Sequence, residues 1–153
     1  MCSVSLEIRL QEGFGPLPFG ARTEEALRCF GPAEETENMD AGEEHRSLVW
    51  HYWTRGFSLF FDPNNEDRFS CVEIDDENVK LWGNAIFTMS EQQLKALFFS
   101  KGFKELDEEM HEWGEKRLSF DDALIDLYFE NGKLISINYG VYLDDKKFVI
   151  MPN

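Results

Sequence analysis

Few residues in this chain could do chemistry, and their types and spacing define what chemistry that would be. The three histidines, His45, His51 and His111, show no HxxxH or HExxH spacing, the pattern that puts two imidazoles on one helix face for zinc. His51 falls in an aromatic run and His111 in an acidic one, so surface or hydrogen-bonded roles are expected of both. Cys2, Cys29 and Cys71 form no CxxC pair and leave an odd thiol under any pairing, as in proteins of a reduced compartment. Cys29 and Cys71 stand in apolar runs, which suits unreactive buried thiols. No GxSxG elbow marks a serine nucleophile.

The best metal candidate is "DPNNEDRFSCVE". Asp62, Asn64, Glu66 and Glu73 fall at the first, third, fifth and twelfth places of a calcium-binding loop. The sixth place holds Asp67 where such loops need glycine for their sharp turn, and both flanks read as strands, so a hairpin is expected there and no metal. Asp75-Asp76 and Asp121-Asp122 are adjacent acids. Neighbours on a strand point to opposite faces, so they fit turn and solubility roles better than a paired-carboxylate centre. No cofactor is expected.

Elements must position whatever remains. "VSLEIRL" alternates apolar and polar residues as a half-buried strand does. In "LPFGARTEEALRCFGPAEE", Thr23 stands at an N-cap, Glu24 and Glu25 in a first turn, Ala26, Leu27 and Phe30 on one face, and Gly31-Pro32 at the stop. A phosphate loop would need more glycines and a basic residue there. The acidic stretch from Glu34 to Glu44 reads as a solvated loop. "SLVWHYW", Phe57 to Asp62 and Phe69 to Ile74 read as an antiparallel meander. Ser90 and Gln93 have capping-box spacing before a helix bearing Leu94, Leu97 and Phe98. "ALIDLYFE" and "KLISINYGVYL" are joined by Asn131-Gly132, a hairpin signal.

The second half repeats the first. "TEEALRCF" lies over "SEQQLKAL" at a shift of 67, "SLFFD" over "DLYFE" at 68 and "RFSCVEI" over "KLISINY" at 65. The expected fold is α+β: one compact domain over residues 1–153 with two αβββ repeats, about 17–82 and 84–148. Their strands would form one antiparallel sheet, with both short helices on one face.

Charge narrows the function. Thirty acidic against fifteen basic residues give a formal charge of -15, which repels phosphate backbones and anionic lipid surfaces. Neither nucleic acid nor membrane is expected as a partner; a basic protein is. No run approaches the length of a membrane span, and no basic and apolar leader opens the chain. A cytoplasmic location is expected, with Cys2 as the one feature a lipoprotein would share.

"LPFGARTEEALRCFGPAEE" followed by "WHYW" resembles the start of the small outer-membrane lipoprotein domains. The duplicated helix-plus-strands unit resembles the fold of the β-lactamase inhibitor protein. The likeness covers Leu17 to Ile74 and thereafter topology alone, since the second copy lacks Gly-Pro. It implies a binding or inhibitory module that uses an open sheet face, and acidic immunity proteins that neutralise bacterial toxins are similar in size and charge. There is no lipobox and no disulfide set of the secreted inhibitor type.

The aromatics of the first meander leave both faces partly aromatic, as a filled core or as a partner-binding face. On the second reading Trp50, Tyr52, Trp53 and Trp82 are the anchors, with Asp75, Asp76, Glu108 and Glu109 as steering charges. The expectation is a non-enzymatic protein-binding or inhibitory module, in its sharpest form an immunity protein that neutralises a basic bacterial toxin. The rivals are a small metal-dependent or hydrolytic protein and a structural domain of a larger assembly.

Overall fold

The structure, a computed structural model, describes residues 6–40, 46–62, 66–111 and 114–141. Cys2, His45 and Asn64 lie outside them. Twelve strands and two helices are present among the described residues. The main sheet has eight antiparallel strands. Its first half is a meander of β4 (Glu35–Asp40), β5 (Arg46–Tyr52), β6 (Phe57–Asp62) and β7 (Arg68–Ile74). Its second is β9 (Leu106–Met110), β10 (Glu115–Phe120), β11 (Ile125–Glu130) and β12 (Lys133–Gly140). The spatial order is β4-β5-β6-β7-β12-β11-β10-β9, so β7 and β12 join the halves. Short strands β1 (Glu7–Arg9), β2 (Gly13–Phe14), β3 (Leu17–Pro18) and β8 (Lys80–Leu81) form a second sheet.

Helix α1 (Thr23–Phe30) precedes the first meander and α2 (Glu91–Ser100) the second. Arg22, not Thr23, is the N-cap of α1, and the Glu25 carboxylate accepts from the Arg22 N–H at 3.3 Å. The stop is as expected: Gly31 has φ of +80°, a conformation open to glycine. In α2 the capping box forms, with Ser90 N–H donating to Gln93 Oε1 at 2.9 Å and Gln93 N–H to Ser90 Oγ at 3.2 Å.

Pleating explains the layers. Tyr52, Phe57, Ile74, Ile137, Leu127 and Leu118 are successive cross-strand partners and all are buried. Both helices and the small sheet cover this face. Phe30 packs edge-on against Phe57, Phe98 stacks on Phe120 at 4.4 Å, and Phe19 meets Phe69 and Tyr139.

The two halves share register. Ile74 pairs with Ile137 and Val72 with Tyr139, symmetrically about the Glu73–Asn138 pair. Bulges fall at Phe60/Phe61 and again at Tyr128/Phe129. In the helices the buried residues are Ala26 and Phe30, then Leu94 and Phe98, a shift of 68 that corrects the expected 67. Leu27, expected on the apolar face, is 48% exposed. Each helix is followed by four strands and not three, because the acidic segment expected as a loop is edge strand β4. Acids at an exposed edge discourage pairing with another chain, so their presence is compatible with a strand. Asn131 and Gly132 have φ of 52° and 83°, the backbone of a primed hairpin turn between β11 and β12.

Candidate functional site

The face opposite the helices carries one polar residue from every strand of the main sheet. Glu35, His51, Ser58, Glu73, Asn138, Asp126, Ser119 and Asp107 are consecutive cross-strand partners from β4 to β9. Glu37, Arg117 and Glu109 stand beside this row, one pleat along. Together they place six carboxylates against a single arginine.

The row is internally ordered. His51 Nε2 is 2.9 Å from Glu37 Oε1 and Nδ1 is 2.8 Å from Ser58 Oγ. In the neutral tautomer that donates from Nε2 to Glu37, Nδ1 accepts from the Ser58 hydroxyl. The Trp53 ring lies over the imidazole at 4.0 Å and 10°, and its Nε1–H donates to Glu35 Oε1 at 3.2 Å. His51 and Ser58 are thereby buried, at 8% and 4% exposure.

In the second half Ser119 stands where His51 does in the first, and a permanent cation, Arg117, lies one pleat along from it. Arg117 donates to Ser119 Oγ and reaches Asp126 at 3.4 Å, Asp107 at 3.5 Å and Glu109 at 3.5 Å. Ser119 also donates to Asp126. Cys71 points to this region, its Sγ–H donating to Asn138 Oδ1 at 2.8 Å. Burial, with Glu73 and Asp126 nearby, pushes the thiol up to about 12. Cys71 is half-buried and lines a cleft, where the sequence suggests a buried thiol in apolar surroundings.

The eight residues expected to bind a partner do not form one patch. Tyr52 is corrected outright: it is 1% exposed and belongs to the core. Its hydroxyl donates to Gly31 O at 2.9 Å, and burial raises its pKa to about 12. Trp50 is half-buried on the same inner face, packed on Phe61 at 5.2 Å. Trp82 is half-buried beside α2, edge-on to Phe98 and beneath Lys101. Glu108 is on the helix side of β9, in ion pairs with Lys95 at 3.0 Å and Lys116 at 2.8 Å. Glu109 belongs to the Arg117 cluster on the open face.

Trp53 and Asp75 do come together, while Asp76 turns its carboxylate to the Asn78 N–H. Trp53 is 58% exposed. Asp75 and Asp76 follow β7, and their N–H groups donate to Gly56 O at 2.9 and 3.1 Å. Trp53 and Asp75 line a small cleft with Ser58 and Glu73. The row itself was not singled out from the sequence, although the polar positions of "SLFFD", "RFSCVEI" and "DLYFE" are its signal once each outward residue is picked by alternation.

No group of three or more His, Cys, Asp or Glu poised for a metal occurs among the described residues. The antiparallel pairing of Asp62 with Arg68 supports a hairpin over a calcium loop. Among the described residues no helix is long and apolar enough to cross a membrane. Comparison with known protein families, with characterised proteins and with solved structures finds no match for this chain.

Proposed function

We propose that this chain is a non-enzymatic binding protein that receives a basic protein on the open face of its eight-stranded sheet, as an immunity protein receives a basic toxin. The observation that carries the reading is the eight-residue polar row with its excess of carboxylates. Such a face attracts a cationic surface and raises its association rate, by about ten- to a thousandfold where the field is focused. Trp53 supplies the exposed aromatic anchor, with Asp75 beside it.

The Ser58–His51–Glu37 chain has the residue types of an acyl-transfer relay, and a second reading as a hydrolase starts there. The surroundings favour the binding reading. Ser58 lies within β6, between β5 and β7, where backbone N–H groups are used in the ladder and none is left as a pair to hold an oxyanion.

The shared registers and shared bulges support an origin by duplication of a helix plus four-strand unit. A reduced, cytoplasmic setting fits the odd number of cysteines. The test is capture from the source cell's lysate by the tagged full chain at low and high salt, beside a Glu73→Gln/Asp75→Asn variant. Retention of a basic protein by the wild type at low salt, and its loss in high salt, supports the reading.

A further inference from the structure

We propose that the cleft beside Trp53 seats one arginine or lysine side chain of the basic partner, an inference that rests on the docking reading above. The cleft has a volume of about 60 Å³, and its lining includes Trp53, Ser58, Glu73, Asp75 and Ser136. Glu73 on β7 and Asp75, just past its end, both line the cleft. Trp53 is held in place by its stack on His51 and its bond to Glu35.

The second half of the molecule supplies an independent observation that points to the ligand. By the shared registers, Trp53, Ser58, Glu73, Asp75 and Ser136 correspond to Asp121, Asp126, Asn138, Gly140 and Cys71. All five of those line a second, larger cleft of about 390 Å³. The two clefts are one feature built twice. Into the second the chain places its own guanidinium: Arg117 lines it and reaches Asp126 at 3.4 Å.

The position equivalent to Arg117 in the first half is Val49, which is buried and uncharged. Among the described residues no lysine or arginine forms an ion pair with Glu35, Glu73 or Asp75. Among the described residues the first cleft thus offers two carboxylates, an aromatic wall and the Ser136 hydroxyl with no lysine or arginine paired to those carboxylates. A guanidinium satisfies this set best, since it donates in a planar fork to carboxylates and stacks on aromatic rings.

The test is titration of the ¹⁵N-labelled full chain with N-acetyl-L-arginine amide, beside the citrulline analogue as a neutral isostere. The inference predicts saturable amide shifts at Ser58, Glu73 and Asp75 and at the Trp53 indole, with arginine only. It predicts at least roughly tenfold weaker binding in Glu73→Gln/Asp75→Asn and in Trp53→Ala, and unchanged binding in Asp121→Asn of the other cleft. Dispersed spectra of each variant establish that it is folded. Shifts that do not saturate, equal shifts with citrulline, or loss in Asp121→Asn alone would overturn it. A basic protein retained by wild type and equally by Glu73→Gln/Asp75→Asn overturns the seat and leaves the docking reading standing; no retention at either salt removes both.

Discussion

Replacing Ser58 by alanine removes one oxygen and leaves His51 Nδ1 without its partner at 2.8 Å. Both residues are nearly inaccessible, at 4% and 8% exposure, so water cannot readily take the hydroxyl's place. A buried polar atom stripped of its partner costs about 1–3 kcal/mol. The stack of Trp53 on His51 holds the ring where it is, so the imidazole does not swing out to recover the loss. For a chain of 153 residues each kcal/mol lowers Tm by roughly 2–4 °C, which gives a fall of about 2–12 °C. Urea denaturation at pH 7.5, followed by tryptophan fluorescence, reads the free energy directly. The double variant Ser58→Ala/His51→Ala should lose less than the sum of the single variants, because each single change already breaks the same bond. A Ser58→Ala protein within about 0.3 kcal/mol of the wild type would refute the reasoning, because the Ser58–His51 bond would then have no structural weight.

Gly56 has φ of +80°, and a Cβ there would stand 2.8–2.9 Å from Asp76 atoms, backbone included; Gly56→Ala should destabilise by about 1–3 kcal/mol in the same urea assay. Lys116 hydrogen-bonds Glu108 and Glu91, and with Lys95 it holds the Glu108 carboxyl below its usual range. A lowered carboxylate pKa adds stability above the unfolded value and loses it as pH falls through the folded one, so the gap between wild type and Lys116→Met should shrink from pH 6 to pH 3. That gap should stay below about 1 kcal/mol, since such pairs are partly solvated. Cys71, with its thiol near 12 instead of 9, should react with iodoacetamide at pH 8 on the order of a thousandfold more slowly in the native chain than after unfolding; mass spectrometry of the alkylated peptide measures this.

Local rules carried much of the fold. The capping box at Ser90, the Asn131-Gly132 turn and the strands around Phe57, Phe69, Ile125 and Lys133 could be read because each signal spans only a few residues. Strand β4 could not, because an acidic edge strand has no apolar alternation and is defined by its pairing with β5. Tyr52 and Trp53 show the same limit. They are adjacent and both aromatic, yet the chain turns into a short 3₁₀ segment at Trp53, leaving Tyr52 in the core and Trp53 on the surface. The polar row was the least legible feature: it joins residues from eight strands, and only the registers reveal that Ser58, Glu73, Asn138 and Asp126 are neighbours. The clefts follow from those registers as well.

The most direct test of the central claim is the capture experiment on the open face. Wild-type protein is expected to retain a basic protein from the source cell's lysate at about 50 mM salt and to release it near 0.5 M, where charges are screened within roughly 4 Å. The folded Glu73→Gln/Asp75→Asn variant is expected to retain less of that same protein. Retention that ignores salt and these carboxylates alike, or the absence of any captured protein, would contradict the claim that this face binds a cationic partner.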